Sequence, residues 1–262
     1  MNIGAHIKNM NEQGYTVIEN VISPGDLKEI QIKFEELIEK YESDFEKLRI
    51  NEVDAGIIRC MVGRGEIFEK FFYVSEVVEV AKAILGNFIH YSFNGVYTSK
   101  KFKHPASVFH TDVPVWTDNV ALSINNFYLV DDTTEENGAT WLVPGSHLQE
   151  KPSDEFIEKN KIQATGKAGS VIMLHSKLYH ASGINHTDKR RKCMVNLMRR
   201  SFMKPQFNWQ KVISPEMAAR MNEDTKRLFD FYTSPPNSPE EYYAEGIRRR
   251  DAALKQKNNN TY

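Results

Sequence analysis

Ala121-Leu122-Ser123-Ile124-Asn125-Asn126-Phe127-Tyr128-Leu129-Val130 runs into Asp131-Asp132-Thr133, a strand-forming apolar and aromatic stretch stopped by a turn cluster. Stretches of the same texture lie on both sides of it. Phe88 to Thr98, Ser107 to Asp112, Thr140 to Val143, Ser170 to His175 and Lys192 to Arg199 are expected to be strands. Turn signals at Asn137-Gly138, Pro144-Gly145-Ser146 and Gly166-Lys167-Ala168-Gly169 separate several of them. Many short strands punctuated in this way point to a sandwich or barrel of antiparallel strands.

Outside this region the periodicity changes. Tyr15 to Ile18, within Gly14 to Glu19, reads as one more strand, and Ser23-Pro24 then opens an apolar series (Leu27, Ile30, Phe34, Leu37, Ile38, Tyr41) at helical spacing. Ser23 suits the N-cap and Pro24 the first helical position. Ser75 to Leu85 reads as a second helix closed by Gly86. Helix is expected again after Ser214, with Met217, Ala218, Met221 and Leu228 on one face, and around Glu240 to Leu254, before a polar tail at Lys255 to Tyr262. The expected organisation is one domain over residues 1–262: a helical N-terminal part (1–87), a β core (88–203) and a helical C-terminal extension (204–262).

Composition narrows the classes. Of 262 residues, 40% are hydrophobic and 26% charged, which suits a globular fold and not a disordered chain. Lys plus Arg is 34 and Asp plus Glu 35, a net charge of −1 that argues against dedicated nucleic-acid or anionic-membrane binding. Only Cys60 and Cys193 occur, without a Cys-x-x-Cys pair, so neither a disulfide framework nor a structural zinc site is expected. Met1 to Gln13 lacks the apolar core of a signal peptide, and no apolar run approaches the roughly 20 residues of a membrane span. A cytoplasmic protein, monomeric or a small homo-oligomer, is the expectation.

Two His-x-Asp triplets occur, His110-Thr111-Asp112 and His186-Thr187-Asp188. On a strand, positions two apart share a face, so His110 and Asp112 would project an imidazole and a carboxylate into one cavity. The second triplet sits in the polar turn Gly183 to Arg191, where no common face is defined. A facial iron(II) site needs two histidines and one carboxylate, with positions left open. His175 and His180, after the apolar run Ser170 to Leu174, are both candidates for the second imidazole. Arg191 follows His180 by 11 positions and can return a guanidinium to the same cavity, whereas Arg199 lies 19 positions on, at the far end of the strand. A cationic fork beside an open iron site suits a dicarboxylate cosubstrate, 2-oxoglutarate.

At this point the residues carry a resemblance. Gly14-Tyr15-Thr16-Val17-Ile18-Glu19, His110-Thr111-Asp112, the block Glu136-Asn137-Gly138-Ala139-Thr140-Trp141-Leu142-Val143-Pro144-Gly145-Ser146-His147, Leu174-His175, His180-Ala181-Ser182-Gly183-Ile184-Asn185 and Arg191 together are similar to the phytanoyl-CoA dioxygenase family, in order, over about Gly14 to Arg200. The resemblance implies a mainly β protein with flanking helices, its core a double-stranded β-helix (jelly roll), using iron(II), 2-oxoglutarate and O2. It implies His110, Asp112 and His180 as iron ligands and Arg191 as partner of the distal carboxylate of 2-oxoglutarate. Ser182 and Thr111 match positions that hydrogen-bond the cosubstrate, and Phe127 one that packs on it. Ala181 departs from the family's usual Gly. Related halogenases carry Gly or Ala at the carboxylate position, so Asp112 speaks for oxygen chemistry, with hydroxylation as the default.

His147 and His175 are expected to be structural. Tyr97, Asn94, Trp116 and Arg59 are the candidates for substrate contact, and the absence of an obvious basic coenzyme A cradle favours a small polar substrate. Desaturation, cyclisation or epimerisation by the same cofactors is the alternative outcome, and a non-catalytic jelly-roll binding module the rival class.

Overall fold

The computed structural model describes residues 2–47, 49–50, 54–99, 107–113, 115–118, 120–232, 236, 238–244, 246–247 and 250. The chain forms two compact units, Met1–Asp230 and Phe231–Tyr262. In the first, strands β1 (Tyr15–Ile18), β2 (Ile57–Ile58), β3 (Phe88–Thr98), β4 (Ser123–Leu129), β7 (Val171–His175) and β9 (Arg191–Arg200) build an antiparallel six-stranded sheet in the order β1-β7-β4-β9-β3-β2. A smaller sheet, β6-β5-β8, contains β5 (Thr140–Leu142), β6 (Ile162–Ala164) and β8 (His180–Ala181).

The two sheets close on a common interior. Leu129, Ile172, Leu174 and Cys193 of the large sheet pack with Leu142 and Ala164 of the small one, and Phe127 and Val195 join them. This is the expected double-stranded β-helix, with even-spaced residues of each strand facing in. The opposite face of the large sheet carries helices. In α2 (Pro24–Lys47), Ser23 Oγ accepts the Asp26 N–H at 3.1 Å as the expected N-cap. The helix docks on the sheet through Lys192 Nζ to Glu35 at 2.7 Å and Arg190 to Glu42 at 2.8 Å. Gly95 lets Phe34 of α2 rest on the strand, because a Cβ there would stand 2.8 Å from the Phe34 ring. α3 (Ser75–Leu85) ends as expected at Gly86, whose φ of 69° is the left-handed conformation that glycine adopts freely.

Two expectations need correction, and two helical stretches go beyond the sequence reading. Ser107 to Asp112 is not a continuous strand: only His110 pairs, in an isolated antiparallel bridge to His180, and Thr111 Oγ1 turns back onto the Val113 carbonyl at 3.0 Å. A helix, α1 (Ile3–Glu12), precedes β1, capped by Asn2, whose side chain accepts the Ala5 N–H. α2 runs on past Tyr41 through Glu42 and Asp44 to Lys47. After Ser214 the helix is split into Pro215–Arg220 and Glu223–Leu228, because Asn222 caps a new start by accepting the Thr225 N–H at 2.8 Å.

In the second unit residues 239–244 are helical, and the end of the expected Glu240–Leu254 helix and the tail Lys255–Tyr262 lie outside the described residues. Cys60 and Cys193 are free and buried. Among the described residues no helix is long and apolar enough to cross a membrane.

Candidate metal centre

The bridge between residue 110 and β8 assembles the site. His110 N–H donates to the His180 carbonyl and His180 N–H to the His110 carbonyl, both at 3.0 Å, so the two imidazoles stand side by side with centroids 4.4 Å apart. Two residues on, Asp112 N–H donates to the Ser176 carbonyl at 3.0 Å, which brings its carboxylate to the same place. One donor atom from each of His110, Asp112 and His180 lies within 4.8 Å of the others. The common face inferred from a strand is thus produced by pairing with the β7–β8 connection.

Both rings are held in one tautomer. His110 Nδ1 lies 2.8 Å from the Val108 carbonyl and His180 Nδ1 2.9 Å from the Leu178 carbonyl. A carbonyl can only accept, so each Nδ1 carries the proton and each Nε2 keeps a lone pair free. His180 Nε2 faces Asp112 Oδ1 at 3.7 Å, while Asp112 Oδ2 accepts a hydrogen bond from Asn125 Nδ2 at 3.2 Å. Burial, and then the neighbouring His180, depress the His110 pKa, which favours the neutral, metal-ligating imidazole. Two imidazoles and one carboxylate, each oriented by a backbone or side-chain partner, form a donor set that can hold a divalent iron.

Arg191 opens β9 on the interior face. Its Nε donates to the Asn137 carbonyl at 3.1 Å, and among the described residues no carboxylate lies within ion-pair distance of it. The side chain is buried, which lowers its pKa through desolvation. The turn that supplies Asn137 depends on two glycines in backbone contact: a Cβ on Gly138 would meet Asn185 N at 2.9 Å, and one on Gly183 would run into the Ala139 carbonyl. That contact explains why the Asn137-Gly138 and Ser182-Gly183 segments occur together.

The remaining candidates are dispersed. Phe127 faces the interior and packs in the apolar cluster between the sheets. Ser182 is half-buried on the chain leaving β8, and the Thr111 hydroxyl is turned toward Val113. Asn94 faces inward by its pairing with Val195, and its Oδ1 accepts the Cys60 N–H at 3.0 Å. Tyr97 is paired with Lys192 on the face covered by α2, away from the triad. Arg59 forms an ion pair with Asp54, Nε to Oδ2 at 2.9 Å. Trp116 donates from Nε1 to Asp118 at 2.7 Å, with Lys177 Nζ 4.1 Å above its ring. His147 reaches the Asn11 carbonyl at 3.0 Å and lies against His175, so neither ring joins the triad. His186 is exposed in the 183–189 turn. Asn125 and Lys177 are the residues that sequence reading missed; a polar residue inside an apolar strand was the available signal for the first.

A double-stranded β-helix with a two-histidine, one-carboxylate cluster in its interior is the class that fold and site define. The chain belongs to the phytanoyl-CoA dioxygenase (PhyH) family, which matches residues 10–193, and it is an oxygenase of that family. An uncharacterized protein of Mycobacterium tuberculosis is 27% identical over 251 residues, spanning 92% of this chain and 91% of its own. The multifunctional dioxygenase prhA of Penicillium brasilianum is 26% identical over 245 residues, spanning 85% of this chain and 81% of its own. Among solved structures, the epimerase SnoN in complex with Fe3+, alpha ketoglutarate and nogalamycin RO shares the fold at a TM-score of 0.59 and 16% identity, over 78% of this chain and 86% of that one.

Proposed function

We propose that this chain is an iron(II)- and 2-oxoglutarate-dependent dioxygenase that hydroxylates an unactivated C–H bond of a small polar metabolite. The observation that carries this reading is the triad: the Nε2 atoms of His110 and His180 and the carboxylate of Asp112 converge, with both Nδ1–H groups already committed to carbonyls. Arg191 supports the cosubstrate assignment, as a buried guanidinium on the same interior face that has no carboxylate partner among the described residues. SnoN binds alpha ketoglutarate on the same fold. When bound, iron(II) with 2-oxoglutarate and O2 supplies the oxidation: one oxygen atom enters the substrate, the other leaves in succinate, and CO2 is released. The protein's share is to hold the donor atoms, to pair the distal carboxylate with Arg191, and to keep water out through the apolar lining around Phe127, Ile172 and Leu174.

The test is anaerobic thermal unfolding with iron(II) or manganese(II) and 2-oxoglutarate, followed by succinate release in air. A ligand at about 100 times its Kd adds about 2.7 kcal/mol of stability. Asp112→Ala abolishes the metal-dependent gain and turnover, and His186→Ala leaves both near wild type. The reverse pattern, or no stabilisation of the wild type, rules the reading out.

A further inference from the structure

Arg191 and Arg199 stand at the two ends of β9 on one face. Alternation along the strand puts Arg191, Cys193, Val195, Leu197 and Arg199 on the same side, and Cys193 and Val195 pack in the interior cluster. The two guanidinium-bearing positions are separated by about 26 Å of strand at ~3.3 Å per residue. The triad's carboxylate is held between their levels, because Asn125, which bonds Asp112, pairs with Leu197. Along β9, Arg191 therefore lies on one side of the triad's level and Arg199 on the other.

The surroundings of Arg199 are unusual. Of the eight buried side-chain polar atoms without a hydrogen-bond partner among the described residues, four belong to this corner: Arg199 Nε, Ser123 Oγ, Ser176 Oγ and Asn125 Oδ1. They form a connected set. Ser123 pairs with Arg199 across β4 and β9, Ser176 N–H donates to the Ser123 carbonyl at 3.1 Å, and Asp112 N–H donates to the Ser176 carbonyl at 3.0 Å. The Arg199 guanidinium lies 3.6 Å over the centre of the Tyr91 ring, at the bulge between His90 and Ser92, and no carboxylate is paired with it among the described residues. Buried polar atoms are rarely left unsatisfied, and a cation and two hydroxyls orphaned together beside a reaction centre call for one shared oxyanion.

We infer that this corner is the substrate's acid-binding subsite: Arg199, flattened on Tyr91, pairs with a carboxylate of an organic-acid substrate, and Ser123 and Ser176 donate to the same group. A carboxylate fits better than a phosphate. The planar guanidinium matches its two oxygens, and the other arginine near Tyr91, Arg59, is neutralised by Asp54, leaving one unmatched positive charge for one negative charge. The inference rests on the oxygenase reading above and narrows its substrate to a monoanionic acid whose reactive C–H lies between the carboxylate and the triad.

The test uses the full-length protein and a set of small amino, hydroxy and aryl monocarboxylic acids, each matched with its primary amide, read by thermal shift with manganese(II) and 2-oxoglutarate present. The expected result is that one or more acids bind at least tenfold more tightly than their amides. Arg199→Gln erases that difference, and Arg199→Lys keeps part of it. Stabilisation by 2-oxoglutarate alone persists in Arg199→Gln and is lost in Arg191→Gln. The inference is overturned if no acid outperforms its amide, if Arg199→Gln keeps the discrimination, or if Arg199→Gln rather than Arg191→Gln loses the 2-oxoglutarate response. Should Arg199→Gln fail to fold by circular dichroism, the wild-type acid and amide comparison with Arg199→Lys decides. If the wild type shows no response to metal and 2-oxoglutarate, the oxygenase reading fails, and the same acid and amide pairs on metal-free protein still decide the role of Arg199.

Discussion

Asn125 donates a hydrogen bond from Nδ2 to Oδ2 of Asp112 at 3.2 Å, leaving Oδ1 turned toward His180 Nε2. The amide fixes which carboxylate oxygen faces the two imidazoles. Groups that orient metal ligands commonly contribute 10- to 100-fold in affinity. Asn125→Leu is therefore expected to weaken iron(II) or manganese(II) binding by about that factor while the fold persists, as read by metal titration alongside circular dichroism. Unchanged metal affinity would show that the carboxylate orients itself.

Lys177 ties the 115–118 segment to the β7–β8 connection. Its ammonium donates to the Thr117 carbonyl, and to the Asp118 carbonyl at 2.9 Å, while lying 4.1 Å from the centre of the Trp116 ring. A buried cation–π contact contributes roughly 2 kcal/mol, and charge-assisted hydrogen bonds add to it. Lys177→Met is expected to lower stability by about 1–3 kcal/mol and to speed amide exchange most strongly at residues 115–118. Exchange that rises evenly over the whole chain would argue against a local clasp.

How much of this was legible in the sequence differs from one element to the next. α3 and β3 have the bounds that their patterns predict, since Gly86 and the flanking turns stop them chemically. The paired His110 and Asp112 were visible as a triplet, but the reason they converge was not. The segment that carries them owes its geometry to residues about 65 positions away in the chain, His180 and Ser176, and no local propensity encodes that pairing. α1 was hidden because Met10 is its only fully buried residue, so it lacks an apolar stripe to read. Asn125 looked like one more strand position, and only the fold places it under Asp112.

Burial governs the acid sensitivity of the fold. His175 has its pKa depressed to about 3, first by burial and then by His147 and Lys177, and its Nδ1 accepts the Lys177 N–H at 3.1 Å, a bond that protonation would break. The unfolded chain takes up this proton near pH 6.5 and the native chain does not. Stability is therefore full above about pH 6.5 and falls as pH drops from there toward 3, by about 1.4 kcal/mol per unit for this group. Denaturant unfolding at pH 7.5 and 5.0 is expected to show a loss of about 2 kcal/mol from this residue, and His175→Gln to show a loss smaller by that amount. Equal losses in the two proteins would exclude His175 as the cause.

Arg191 sets function against stability in a measurable way. Among the described residues the buried Arg191 guanidinium has the Asn137 carbonyl on its Nε and no carboxylate within ion-pair distance, and its desolvation outweighs the attraction of Asp131. An unpaired buried charge carries a desolvation cost that an apolar side chain of similar volume does not, so the replacement is neutral or stabilising in the absence of ligand. Arg191→Met is thus expected to melt at the same temperature as the wild type or higher when no ligand is added, because Cys193, two positions on along the same face of β9, belongs to an apolar cluster. The same variant is expected to lose the thermal gain from 2-oxoglutarate while keeping the gain from manganese(II) alone, since the triad is untouched. Arg191→Lys separates charge from shape: the ammonium restores one positive charge but not the fork, and a gain intermediate between those of wild type and Arg191→Met follows. A ligand-free Arg191→Met protein that melts well below wild type would mean that the guanidinium is a structural strut, and that its lack of a carboxylate partner is no sign of a waiting cosubstrate.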